Sequence, residues 1–262
     1  MYFLLYLLVG ICAGTLSGLL GIGGGLVVVP ALVFIFHHHA IVPAVNIFHV
    51  AVATSLAIMI ITTSSSIAAH ILHKTVIWQL ILKLLPGFIV GSMLGAAITS
   101  FLPGHVLKII FAVFLFITAV RMFMTIQMPV ERQLPANTVL GLFSCVAGML
   151  SPLLGIGLGS MGVPFLRRYN VPMQQASAIT VTCTMPMALC GSVSFLLADF
   201  YRPIHGIHLM GYVYWPAFLL IGSCSLIFAP IGVRLANRMN KKLLQRVFAV
   251  FLFVVCFSLI VA

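Results

Sequence analysis

Ala13 to Leu32 reads AGTLSGLLGIGGGLVVVPAL, and Ala147 to Leu166 reads AGMLSPLLGIGLGSMGVPFL. Thirteen of the twenty positions are identical at a constant offset of 134, so one unusual segment occurs twice in the chain. A shorter match, FAVFLF at Phe111 to Phe116 and again at Phe248 to Phe253, ends the fourth apolar element of each half. Repetition at this scale defines the unit of the fold before any single residue is read. Both copies crowd glycine where a helix tolerates little of it: Gly21, Gly23, Gly24 and Gly25, then Gly155, Gly157 and Gly159, followed by Pro30 or Pro164. Each glycine in a helix interior costs about 1 kcal/mol relative to alanine. The clusters therefore predict a helix break at matching places. The spaced series Gly10, Gly14, Gly18 and Gly87, Gly91, Gly95, one glycine every four residues, instead predict close helix packing.

The surrounding chain has no polar surface to spare. Of 262 residues, 63% are hydrophobic and 6% charged, where a soluble domain carries about 25% charged residues. Lys74 is the first Asp, Glu, Lys or Arg, and stretches free of all four run from 84 to 107, 133 to 166, 169 to 198 and 203 to 233. Each exceeds the roughly 20 residues a transmembrane helix needs. Apolar elements are expected near 2 to 36, 44 to 70, 76 to 100, 105 to 126, 137 to 166, 172 to 198, 208 to 232 and 243 to 262. The polar stretch QMPVERQLPAN, Gln127 to Asn137, joins the halves. The expected architecture is all-α: a polytopic transmembrane bundle of two homologous four-element repeats, 1–126 and 137–262, joined by a linker at 127–136, with broken or re-entrant Gly-rich helices. The N-terminus lacks the basic region of a cleaved signal. A multi-pass place in a cell inner membrane follows.

A net charge of +11 would suggest nucleic acid as partner for a soluble protein; at helix ends it suits anionic lipid headgroups instead. The six cysteines all lie in apolar stretches without metal-ligand spacing. His37, His38 and His39 lack nearby Cys, Asp or Glu, so they read as an interfacial loop and not a metal site. No G-K-[ST] motif is present, and no cofactor is implied.

A broken helix exposes backbone N–H and C=O groups inside the bilayer, tolerated only where protein or a water-filled cavity surrounds them. Breaks in paired repeats point to a transporter's binding site, and the half-helix after each break aims a positive dipole end at it. The candidate site is therefore built from Gly21, Gly23, Gly24, Gly25, Gly155, Gly157 and Gly159. Ser17 and Ser151, one turn upstream, and Ser160 beside the second break add hydroxyls. Thr54, Ser55, Thr180 and Thr182 on the following helices are further candidates, with Thr54 aligned to Thr180 in a weaker register. The plainer reading of any one hydroxyl is a bond to its own helix's carbonyl four residues back.

These duplicated segments, with TSLAI at Thr54 to Ile58 and the eight-element plan, resemble the TauE/SafE family of sulfite exporters and related permeases. The resemblance spans nearly the whole chain and implies a carrier of sulfite, organosulfonates or related small anions; the lack of a G-K-[ST] motif separately makes coupling to an ion, a proton or sodium, the simpler expectation. The second copy departs from the first at Leu158, opposite Gly24, which puts a symmetric site in question. Two other functions compete. A passive anion channel would share the fold. An intramembrane hydrolase using Ser17 with His49 or His70 conflicts with Thr15 in place of the motif's glycine and with the absence of a duplicated histidine, so an enzyme is not expected.

Topology is pulled two ways. Eight full spans place Lys74, Lys83, Arg121, Arg132 and Arg202 on one side, and Lys108, Arg167, Arg168, Arg234, Arg238, Lys241, Lys242 and Arg246 on the other. The charge bias of the first half then opposes that of the second. Inverted halves produce that reversal, provided a Gly-rich element re-enters the membrane where a span was counted.

Overall fold

The computed structural model describes residues 2–39, 41–123, 134–201 and 209–235, with positions 250, 252, 253 and 256. Both Gly-rich elements are broken helices. The first is α1 (Tyr2–Leu20) and α2 (Gly25–His39); the second is α6 (Asn137–Leu154) and α7 (Gly159–Arg168). Between the first pair and the second lie a short 3-10 turn (Ala44–Asn46), α3 (Ile47–Leu72), α4 (Trp78–Phe101) and α5 (Gly104–Phe123). After α7 come α8 (Met173–Tyr201), a two-stranded antiparallel hairpin, β1 (Leu209–Met210) with β2 (Val213–Tyr214), and α9 (Trp215–Leu235). The element expected at 208–232 thus begins as a hairpin, and the one at 243–262 lies almost wholly outside the described residues. Six of the described helices, α3, α4, α5, α6, α8 and α9, are long and apolar enough to cross a membrane. The fold is a polytopic all-α bundle, and its outer helices turn large apolar side chains such as Leu82, Leu94, Ile109, Phe116 and Ile227 outward.

The spaced glycines do what their spacing predicts. Gly10, Gly14 and Gly18 of α1 lie against Ile221, Ser225 and Ala229 of α9, close enough that a Cβ on any of them would overlap its neighbour. Gly87, Gly91 and Gly95 of α4 meet Gly141, Cys145 and Met149 of α6 in the same manner. Both contacts advance in register, so α1 runs parallel to α9 and α4 parallel to α6. Tyr214 N–H donates to Thr54 Oγ1 and Ser65 Oγ donates to the Leu226 carbonyl, which makes α3 parallel to α9 as well. Leu56 contacts Gly191 while Ser64 contacts Met185, so α8 runs against α3.

The limb after each break folds back. Gly24 packs on Ala13, eleven residues upstream, and Phe36 near the end of α2 meets Tyr214, the last residue of β2 before α9 begins. In the second element Phe165 of α7 stacks on Phe143, near the start of α6, with centroids 3.7 Å apart. Each Gly-rich element therefore ends on the side where it began. This corrects the eight-span assignment of charges: Lys74, Lys83, Arg121, Arg167, Arg168 and Arg234 now fall at one end of the bundle, and Lys108 alone of the described Lys and Arg lies at the other, with His37, His38 and His39. By the positive-inside rule the basic end is the one expected to face the cytoplasm. Single cysteines replacing Lys74 and Arg167 are expected to react with a membrane-impermeant maleimide from the cytoplasmic face, and cysteines replacing His38 and His105 from the opposite face. Labelling of positions 74 and 167 from different faces would overturn this arrangement.

Candidate functional site

Helix α1 ends when Gly21, at φ +69°, takes the left-handed conformation and its N–H donates to the Ser17 carbonyl at 2.8 Å. Helix α6 ends at Gly155, φ +65°, with Gly155 N–H on the Pro152 carbonyl and Ile156 N–H on the Ser151 carbonyl. The first is a simple left-handed cap and the second a Schellman cap, which uses one more donor. Gly23 and Gly24 continue at φ +75° and +80°, conformations that side chains disfavour, while Leu158, opposite Gly24, sits at φ −63°. The second copy tolerates leucine there because its chain reverses without a left-handed residue at that point.

The remaining glycines are required by contact between the two breaks. A Cβ on Gly25 would strike the Gly155 carbonyl, one on Gly157 the Ile22 carbonyl, and one on Gly159 the Gly21 carbonyl. Backbone crosses backbone, buried, beside Met59 and Thr184, which lie close to the midpoints of α3 and α8. The breaks thus meet near mid-height in the bundle.

The hydroxyls around this crossing attend to carbonyls. Ser55 Oγ donates to the Gly155 carbonyl at 2.9 Å, Ser151 Oγ to the Ile156 carbonyl, and Ser160 Oγ lies 3.4 Å from the Gly157 carbonyl. Thr180 Oγ1 lies 3.4 Å from the Gly21 carbonyl and 3.0 Å from carbonyls of its own helix. Ser55 and Thr180 therefore reach equivalent glycines of opposite breaks, as do Val52 at Gly155 and Ser177 at Gly21. That correspondence, an offset of 125, replaces the alignment of Thr54 with Thr180. Thr54 instead holds the hairpin, accepting the Tyr214 N–H at 3.0 Å, and burial raises the proton affinity of the Tyr214 phenol. Thr182 bonds its own helix at Ala178, 2.7 Å away, and takes no part.

Three residues escaped the sequence reading or gain weight from the structure. Ser17 is fully buried on the face of α1 that carries Ala13, toward the folded-back chain, and its hydroxyl has no partner among the described residues. Ser177, unforeseen, lies against Gly21 and is also buried and unpartnered. Thr184 accepts the Leu158 N–H at 3.1 Å and donates to Thr180; a Thr-x-x-x-Thr spacing was the available sign of it.

Backbone donors are left over. Among the described residues no acceptor takes the N–H of Ile22, Gly23, Gly24, Gly25 or Leu26, nor those of Gly157, Gly159 and Ser160. An unmet buried donor costs about 1–3 kcal/mol, so the seven on buried residues, all but that of half-buried Ser160, would sum to on the order of 10 kcal/mol, comparable to the whole stability of a protein. Such a set persists only where water or a ligand supplies acceptors. The excess is greater in the first break, where Ser17 stays free while Ser151 is committed.

A helical bundle whose two buried breaks meet at mid-height has the architecture of a membrane transporter. Comparison with known proteins agrees: residues 6–259 match the family model described as "Sulfite exporter TauE/SafE". The chain belongs to the TauE/SafE family and is a membrane transporter. It is 31% identical over 261 residues to a "Probable membrane transporter protein" of Haemophilus influenzae, covering 98% of both chains. A similarly described protein of Methanocaldococcus jannaschii is 29% identical over 92% of this chain and 89% of its own, and YunE of Bacillus subtilis 25% identical over 99% and 98%. No solved structure matches significantly.

The crossing makes a sharp prediction for stability. Gly159→Ala places its methyl on the Gly21 carbonyl and is expected to destabilise the protein by about 1–3 kcal/mol, read as a lowered thermal midpoint in detergent. Gly141→Ala, with open space around its Cβ, is expected to leave the midpoint unchanged or raise it.

Proposed function

We propose that the chain is a secondary carrier of a small oxyanion, such as sulfite or an organosulfonate, bound at the crossing of the two breaks and moved by alternating access across a bacterial plasma membrane. The observation that carries this reading is the imbalance at the crossing. The Gly155 and Ile156 carbonyls accept from Ser55 and Ser151, while among the described residues eight N–H groups and the hydroxyls of Ser17 and Ser177 remain open. A ligand with several acceptor oxygens and a negative charge fits that set, helped by the N-terminal end of α2. Sulfite and sulfonate groups present three oxygens each. The whole chain carries only two acids, Glu131 and Asp199, both far in sequence from either break.

Helix directions favour a carrier over the channel alternative. The two backbones are in contact at the crossing, and the halves run in opposite senses, the arrangement by which carriers expose one site to each side in turn. Proton or sodium coupling would supply the driving force, with exposed carbonyls or histidine as ligands for the ion.

Purified protein in liposomes, loaded with sulfite, methanesulfonate, thiosulfate or acetate, tests the proposal. Saturable flux of at least one sulfur oxyanion is expected. Ser17→Ala is expected to weaken binding by about 1 kcal/mol, roughly fivefold, and Gly24→Leu to stop flux. Unchanged affinity and flux in Gly24→Leu at wild-type thermal stability would remove the site; unchanged affinity in Ser17→Ala would remove that hydroxyl from it.

A further inference from the structure

The polar face of α3 does not end at the breaks. Ser55 bonds the Gly155 carbonyl and Met59 touches the space at Gly23, so these two mark the side of α3 turned to the crossing. At 100° per residue, Ser66 lies eleven residues on from Ser55 and returns to the same side, roughly 16 Å further along the axis. His70 follows one turn later. Both are buried, at 0% and 4% exposure, and Ser66 Oγ and His70 Nε2 have no hydrogen-bond partner among the described residues.

The contrast with their neighbours gives these two atoms their meaning. Thr62, Thr63 and Ser64 each bond the carbonyl four residues back, at 3.0, 2.6 and 2.6 Å. Ser66 does not, although the same bond to Thr62 is open to it. His70 is held in place from the other side of its ring. Its carbonyl accepts the Thr75 N–H at 3.2 Å, and the Thr75 hydroxyl lies 3.0 Å from Nδ1. The same hydroxyl lies 3.1 Å from the His70 carbonyl, which can accept it beside the backbone N–H; when it turns to Nδ1 as donor instead, the neutral ring carries its hydrogen on Nε2. In that tautomer the open nitrogen is a donor, one helical turn from the open Ser66 hydroxyl, on the side of α3 that runs from the crossing toward the basic end.

We propose that Ser66 and His70 form a second oxyanion station on the cytoplasmic limb of the transport path, distinct from the crossing and occupied in passage. The ligand is of the same class as at the crossing, an oxyanion, taking one hydrogen bond from Ser66 Oγ and one from His70 Nε2. Lys74, one further turn on, lies beyond the station at the basic end of α3. The inference rests on the carrier reading above, but concerns rate and not tight binding.

Equilibrium binding and liposome flux of sulfite, measured on the same preparations, separate the two ideas. In the double variant Ser66→Ala/His70→Leu, flux is expected to fall at least tenfold, with affinity within twofold of wild type and an unchanged thermal midpoint. His70→Gln, which keeps an N–H donor, is expected to recover most of the flux in the presence of Ser66. Wild-type flux in the double variant overturns the station, as does a flux loss that tracks a fall in thermal midpoint or that Gln fails to rescue. If the double variant does not fold, Ser66→Ala alone decides: a flux loss of threefold or more supports the station, and wild-type flux overturns it. Absence of sulfite binding and flux in the wild type is a separate result, which overturns the crossing as a sulfite site and this station with it.

Discussion

Two stretches of glycine backbone cross in contact at the buried centre of this protein, and most of the structure is arranged around that contact. Carbonyls of Gly21, Ile22 and Gly155 occupy the space that side chains at Gly159, Gly157 and Gly25 would fill. To bring chain that close, each helix has to stop, and left-handed glycines stop it: Gly21, Gly23 and Gly24 on one side, Gly155 on the other. Stopping a helix inside a bilayer strands its donors and carbonyls. The long helices α3 and α8 answer with hydroxyls aimed across at the opposite break. The interlock extends outward, since α1 packs along α9 and α6 along α4 through glycine stripes, so each broken element is held by a helix of the other half.

The crossing is nearly two-fold in outline and unequal in chemistry. Its second break is closed on itself: the Schellman cap uses the Ile156 N–H, Ser151 covers the Ile156 carbonyl, and Thr184 takes the Leu158 N–H. Among the described residues the first break keeps five consecutive donors open beside an unpartnered Ser17. Such a nest of N–H groups attracts negative charge without any cationic side chain. A site built from dipoles has a practical advantage for a carrier, because a full positive charge at mid-membrane would be costly whenever the anion left. Of the described Lys and Arg, all but Lys108 stand instead at one end of the bundle, where water and headgroups solvate them.

Much of this was legible in the sequence because backbone chemistry leaves a compositional mark. The clusters at 21–25 and 155–159 signalled breaks, and the fourfold spacing at Gly10 and Gly87 signalled packing; both signals are steric and local. The departure at Leu158 marked the unequal halves, and its cause is a single φ angle. Less legible was anything set by the rotation of one helix against another. Thr54, Ser55, Thr180 and Thr182 look alike in sequence, yet Ser55 and Thr180 reach the crossing while Thr54 holds a hairpin and Thr182 its own helix. A shift of one residue turns a side chain by 100°, enough to exchange site for scaffold. Ser177 was missed for the same reason. The hairpin at 209–214 was hidden because its apolar residues continue the hydrophobic run of α9. Charge counting gave conflicting sides until the return of both Gly-rich limbs was known, since a segment that re-enters has the hydropathy of one that spans.

The central claim is that open backbone N–H groups of the first break hold the transported oxyanion. Amide ¹H–¹⁵N shifts of labelled protein in nanodiscs, followed through a sulfite titration, test it most directly. The account predicts saturable downfield shifts of the Ile22, Gly23, Gly24, Gly25 and Leu26 amides, with smaller ones at Gly157, Gly159 and Ser160. Saturable binding that leaves those amides unmoved while shifting others would contradict it.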